Sequence, residues 1–102
     1  MLPLGAIIVT YNTKKSLLGN CLKSLKENGV QDIVIVANDS NKSVEKTAAE
    51  FNSTYLKNNR NIGFAAAANR GAQKLSNNYL LFINPDAQLD AGACSQALGY
   101  LQ

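Results

Sequence analysis

The chain has 102 residues, with ten Lys and Arg against seven Asp and Glu, no His, and a formal charge of +3. That length suits a single domain over residues 1–102, and a content of 46% hydrophobic and 17% charged residues excludes a disordered chain. Without His, a Ser–His–Asp triad, a Cys–His nucleophile and a His-ligated metal cannot be built, and two Cys do not make a disulfide framework.

In chain order, Ala6-Ile7-Ile8-Val9-Thr10 is a short β-branched run that predicts a buried strand, broken by Tyr11-Asn12-Thr13. Leu17, Leu18, Cys21, Leu22 and Leu25 recur at helical spacing, and Asn28-Gly29 closes that helix, with Gly29 suited to the left-handed position past its end. Asp32–Ala37 reads as a second buried strand and Asn38-Asp39-Ser40-Asn41 as a turn. Val44, Thr47, Ala48 and Phe51 mark a second helix, with Glu45 favourably placed in its first turn. Thr54-Tyr55-Leu56 predicts a short edge strand, Lys57–Asn61 a polar loop, and Phe64–Leu75 an Ala-dense helix. Tyr79–Ile83 is a fourth, wholly apolar strand, stopped by Asn84-Pro85-Asp86. Asp90 is expected to cap a last helix with Ala93, Cys94, Ala97, Leu98 and Leu101 on its apolar face. Cys21 and Cys94 both fall on apolar helix faces, as buried small hydrophobes of a reducing compartment do.

This alternation is the pattern of an α/β domain whose mostly parallel sheet is flanked by helices and whose strands are buried on both faces. No apolar run reaches the length of a membrane span, and no basic region precedes Leu2–Val9, so neither a transmembrane segment nor a signal peptide is expected. The small, scattered positive charge argues against nucleic acid and suits a small anionic ligand.

Parallel sheets bind ligands beyond the carboxyl ends of their strands, where a strand order reverses. The polar residues gather there: Tyr11 and Asn12 after the first strand, Asn38 and Asp39 after the second, Asn84 and Asp86 after the fourth. Neither G-x-G-x-x-G nor G-x-x-x-x-G-K-[ST] occurs. Asp86 is either a carboxylate that shares a divalent cation with a diphosphate or a cap of its own turn. Tyr11 offers a stacking face or is a half-buried loop aromatic. Asn38 offers an amide to an imide edge or merely forms the turn. In Asn59–Gly71, small residues permit close backbone approach, Asn61 and Gly63 shape the helix entry, and Arg60 and Arg70 either face a diphosphate or are solvated.

Together these residues resemble the family 2 glycosyltransferases, which have the GT-A fold. Ile7-Ile8-Val9-Thr10-Tyr11-Asn12 is similar to that family's opening strand and Thr-Tyr-Asn turn. Asn59-Arg60-Asn61-Ile62-Gly63-Phe64-Ala65 through Asn69 and Gly71, followed by Asn84-Pro85-Asp86-Ala87, is similar to its rhamnosyltransferase-like branch. The resemblance implies a Rossmann-like nucleotide-binding half with strand order 3-2-1-4. It implies nucleotide contacts from Thr10, Tyr11, Asn12, Asn38, Asn61, Gly63, Asn69 and Asn84, and a divalent Mg²⁺ or Mn²⁺ ion on Asp86. The branch's usual Asp-Asn-Gly-Ser turn reads Ala37-Asn38-Asp39-Ser40 here, so Ala37 lacks the acid and Asp39 replaces glycine. The implied reaction of the complete enzyme passes a sugar, with inversion, from a dTDP- or UDP-linked donor to an acceptor hydroxyl. No residue of this chain is assigned as the catalytic base. The resemblance covers only the N-terminal donor-binding part, so the chain is expected to be truncated and inactive alone. The alternative is a non-catalytic nucleotide-binding or interaction module. The expected location is the cytoplasm, or the membrane periphery in the parent enzyme, and the fourth strand is expected to be a long apolar edge through which the chain self-associates.

Overall fold

A computed structural model describes residues 2–101. Eight elements alternate along them: β1 (Leu4–Thr10), α1 (Lys15–Glu27), β2 (Asp32–Ala37), α2 (Lys42–Glu50), β3 (Thr54–Lys57), α3 (Phe64–Ala72), β4 (Tyr79–Phe82) and α4 (Ala93–Leu101). The strands form one all-parallel sheet in the order β3-β2-β1-β4. The order reverses between β1 and β4, so the crevice of an open parallel sheet belongs where Tyr11 and Asn84 leave it.

Alternation along the strands separates two cores. Ala6, Ile8, Ile33 and Ile35 point to the face covered by α1, α2 and α4, where they meet Leu18, Cys21, Leu22, Leu25, Val44, Ala48, Cys94 and Leu98. Ile7, Val34 and Val36 point to the other face, covered by α3 through Ala67. α3 lies close to the sheet because of Gly71: a Cβ there would stand 2.7 Å from a methyl of Ile7 and 2.9 Å from one of Val36. Burying these aliphatic side chains stabilises the fold by about 1.5–3 kcal/mol for each of the larger ones, before the entropy of ordering them is set against it.

Helix boundaries follow local chemistry. Gly29 takes φ +83 beyond α1, as the left-handed exit requires. Asn41 caps α2, its side-chain oxygen accepting the N–H groups of Ser43 at 3.0 Å and Val44 at 3.3 Å. α3 ends at Ala72 rather than Leu75, because Lys74 and Leu75 turn tightly onto the carbonyls of Gly71 and Ala72.

Three expectations need correction. Asp90 does not cap α4, which begins at Ala93. The N–H of Cys94 is accepted at 3.0 Å by the side chain of Asn28, which also donates to Asp90 O at 3.1 Å and Ser24 O at 2.9 Å. Leu17 lies 39% exposed, on the rim of α1 rather than in its buried stripe. Nor is every strand buried on both faces. The edge strand β4 pairs over only four residues, and Leu80 and Phe82, on the α3 side of the sheet beside Gly5 and Ile7, stay 39% and 48% exposed. Its free edge continues into an apolar groove of about 360 Å³ against α4, lined in part by Leu4, Leu81, Leu98 and Leu101. Among the described residues, no helix is long and apolar enough to cross a membrane.

Candidate functional site

The carboxyl ends of the strands carry two hollows that share Tyr11, Thr13 and Pro85. One, of about 450 Å³, lies at the reversal of strand order and is lined also by Asn12, Lys14, Leu17, Asn84 and Asp86. The other, of about 320 Å³, is lined also by Val9, Thr10, Asn38, Asn61, Gly63 and Phe64.

The turn after β1 divides them. Thr10 is fully buried and its hydroxyl has no partner among the described residues. Tyr11 is 54% exposed and its N–H bonds the hydroxyl of Thr13 at 3.3 Å. Asn12 takes φ +51, a left-handed conformation that Asn tolerates better than most residues, and its N–H donates to Asp39 Oδ2 at 2.8 Å. The acid in the second turn therefore acts from position 39, and Oδ1 of the same carboxylate is buried without a partner among the described residues.

The amide of Asn38 is turned inward. It is 4% exposed, donates to Gly63 O at 3.2 Å, and accepts from Asn58 Nδ2 at 2.7 Å and from the N–H of Ile62 at 3.4 Å. Asn58 in turn accepts a hydrogen bond from Arg70, whose Nη1 also reaches Lys57 O at 3.1 Å. This network pins the entry of α3 to the ends of β2 and β3, and it engages Arg70 rather than leaving it solvated. Arg60 is exposed. Gly63 holds φ +85 and ψ 170, a conformation that suits glycine, with its N–H on Asn61 Oδ1 at 2.9 Å. Asn69 lies exposed on α3 and lines neither hollow.

The turn after β4 presents Asn84 and Asp86 to solvent. The N–H of Ala87 goes to Asn84 O at 3.0 Å, and no hydrogen bond or ion pair engages the Asp86 carboxylate among the described residues. α1 backs the same turn, with the Cys21 thiol donating to Asn84 O at 3.6 Å. Burial, and after it the negative charge of Asp86, push that thiol up to about 11. Among the described residues, no three His, Cys, Asp or Glu side chains gather as a metal cage. A lone free carboxylate at a crevice suits a hard divalent ion whose remaining ligands are phosphate oxygens and water.

The structure thus brings Thr10, Tyr11, Asn38, Asn61 and Gly63 around one hollow and Tyr11, Asn12, Asn84 and Asp86 around the other. Sequence reasoning missed Phe64 as a wall and Asp39 as the partner of Asn12. An acid in a turn cluster offered a signal for the second, but nothing distinguished Phe64 from a core residue.

A family model described as glycosyl transferase family 2 matches residues 6–102. Teichoic acid poly(glycerol phosphate) polymerase of Staphylococcus epidermidis is 32% identical in an alignment of length 91 that covers 81% of this chain and 13% of that protein. The mannosyltransferase PcManGT of Pyrobaculum calidifontis, solved in complex with GDP-Man and Mn²⁺, matches with a TM-score of 0.85 at 18% identity, over 97% of this chain and 32% of that one. At that identity the likeness is one of fold, and the sheet order 3-2-1-4 with its flanking helices is shared with a glycosyltransferase of the GT-A type.

Proposed function

Because the chain belongs to glycosyl transferase family 2, we propose that it forms the nucleotide-sugar donor site of an inverting glycosyltransferase. The observation that carries this reading is the pair of adjoining hollows at the sheet's carboxyl edge, which share Tyr11, one of them open to Asp86, whose carboxylate has no partner among the described residues. The base and ribose lie against Thr10, Tyr11 and Asn12, over a floor braced by Asn38, Asn61 and Gly63. The diphosphate lies toward Asn84 and Asp86. Asn69, which lines neither hollow, contributes through α3 rather than by touching the base.

Asp86 is the residue that would hold Mg²⁺ or Mn²⁺, and when bound such an ion offsets the charge that grows on the departing diphosphate. Tyr11 orients the donor by stacking, and the turn of Pro85 fixes where the Asp86 carboxylate stands. The carboxylate that takes the proton from the acceptor hydroxyl belongs, in this reading, to residues of the longer enzyme beyond this chain. The Asn59–Gly71 and Asn84–Ala87 motifs further support the rhamnosyltransferase-like branch and a dTDP- or UDP-linked donor. The open edge of β4 supports self-association.

Titration with UDP, dTDP and GDP, with and without Mn²⁺, tests the proposal. Mn²⁺-dependent binding that is lost in Asp86→Ala is expected. Binding that ignores the metal favours the second reading, a non-catalytic nucleotide-binding module, which the missing acid at Ala37 supports. No binding of any of the three overturns both.

A further inference from the structure

Apart from Leu17 on the rim of α1, the large apolar side chains left exposed fall into two groups. Leu80, Phe82, Tyr100 and Leu101 belong to β4 and α4, the open side of the fold. Tyr11 and Phe64, at 54% and 58% exposure, lie elsewhere and line the same hollow of about 320 Å³.

The geometry points to Phe64 as a second stacking wall, so that a nucleobase lodges between the Tyr11 and Phe64 rings. This rests on the donor-site reading and adds to it a contact from the start of α3. The backbone that leads into Phe64 is held in place before any ligand arrives. Phe64 follows directly on Gly63, whose carbonyl is taken by Asn38 and whose N–H is taken by Asn61, and the preceding N–H of Ile62 is also on Asn38. Backbone fixed this way loses little freedom on binding. Base–aromatic stacking tolerates different bases, because every base has a π-face. The clamp therefore selects for a planar base and leaves the choice among bases to polar contacts.

The test uses the full 102-residue chain and compares wild type with Phe64→Ala and Phe64→Tyr, titrated with UDP, GDP, and pyrophosphate plus Mn²⁺. Phe64→Ala is expected to weaken UDP and GDP about tenfold, which is about 1.4 kcal/mol. It should leave pyrophosphate affinity and melting temperature unchanged, and Phe64→Tyr should restore nucleotide affinity. The H5 and H6 protons of UDP should shift upfield on binding wild type and less so with Phe64→Ala. Equal nucleotide affinity in wild type and Phe64→Ala overturns the clamp and leaves the donor site standing. An equal loss for pyrophosphate overturns it too, since Phe64 then acts through the placement of α3. Failure of wild type to bind any nucleotide overturns the clamp together with the reading beneath it.

Discussion

Replacing Asn38 separates two roles that its chemistry allows. A base-reading amide must reach solvent, whereas the Asn38 side chain is 4% exposed and makes three internal hydrogen bonds, to Gly63 O, Asn58 Nδ2 and Ile62 N. Each is worth about 1 kcal/mol net, and a partner left buried and unpaired costs about 1–3 kcal/mol. The 3.4 Å bond to Ile62 is the weakest, and Gly63 is exposed enough for water to replace the bond to its carbonyl. Asn58 is buried and keeps its bond from Arg70. Asn38→Ala should therefore destabilise the domain by roughly 2–4 kcal/mol, a fall in Tm of roughly 10–20 °C for a chain of this size.

Calorimetry and urea unfolding measure this directly. Asn38→Asp keeps acceptors for Asn58 and Ile62 but sets a carboxylate oxygen against the Gly63 carbonyl. That variant should lose at least as much at neutral pH and recover as the pH falls, because its raised native pKa confers stability that disappears as the group ionises. A Tm within about 2 °C of wild type for Asn38→Ala, accompanied by weaker UDP binding, would refute the structural role and restore Asn38 as a reader of the base.

Gly71→Ala gains about 1 kcal/mol of helix propensity but drives a methyl to within 2.7 Å of Ile7 and 2.9 Å of Val36. Both neighbours are stiff β-branched residues on central strands, so a net loss of about 1–2 kcal/mol is expected in chemical denaturation, and a gain would refute the close approach. The Cys21 thiol is raised from 9.0 to about 11 by burial and by Asp86. The unfolded chain then releases this proton first, and stability falls between about pH 9 and 11 by at most about 1.4 kcal/mol per unit, a component that Cys21→Ala removes from the pH profile. Neither β4 nor α4 carries a charge to oppose pairing. Light scattering should show mass rising with concentration, Leu80→Lys should suppress it, and a monomer at high concentration refutes it.

What could be read from sequence was whatever local pattern decides. Asp32–Ala37 is an unbroken apolar run after one acid, and β2 has those bounds. The edge position of Thr54–Leu56 and the turn at Gly29 rest on short-range chemistry, and both are found. Long-range contacts were not legible. The cap of α4 comes from Asn28, far back in the chain, so the nearer Asp90 took the role by default. β1 extends back to Leu4 because that residue pairs with Tyr79, not because of its own neighbours. The exposure of Phe64 depends on where Asn38 holds the loop before α3, which no periodicity records. Asp86 illustrates the intermediate case: its place after β4 was legible, but the carboxylate's freedom from its own turn required the structure.

The departure at Ala37 has a physical counterpart in the two residues that follow it. Ala37 is fully buried and aligned with Thr10 across β1 and β2. Beyond it, Asn38 and Asp39 act in opposite directions from adjacent positions. The amide of Asn38 reaches the loop that ends in Phe64, while the carboxylate of Asp39 reaches the N–H of Asn12, next to Tyr11. Both walls of the smaller hollow are thus tied to a two-residue turn, and that turn is itself fastened to β1 by the bond of 2.8 Å from the Asn38 N–H to Thr10 O. With acid and amide exchanging none of their polar atoms with each other, a shift of the backbone beneath either wall must break a hydrogen bond at the end of β2. The spacing between the backbones that carry Tyr11 and Phe64 is therefore a property of the sheet rather than of the loops alone, and preorganised backbone lowers the cost of binding.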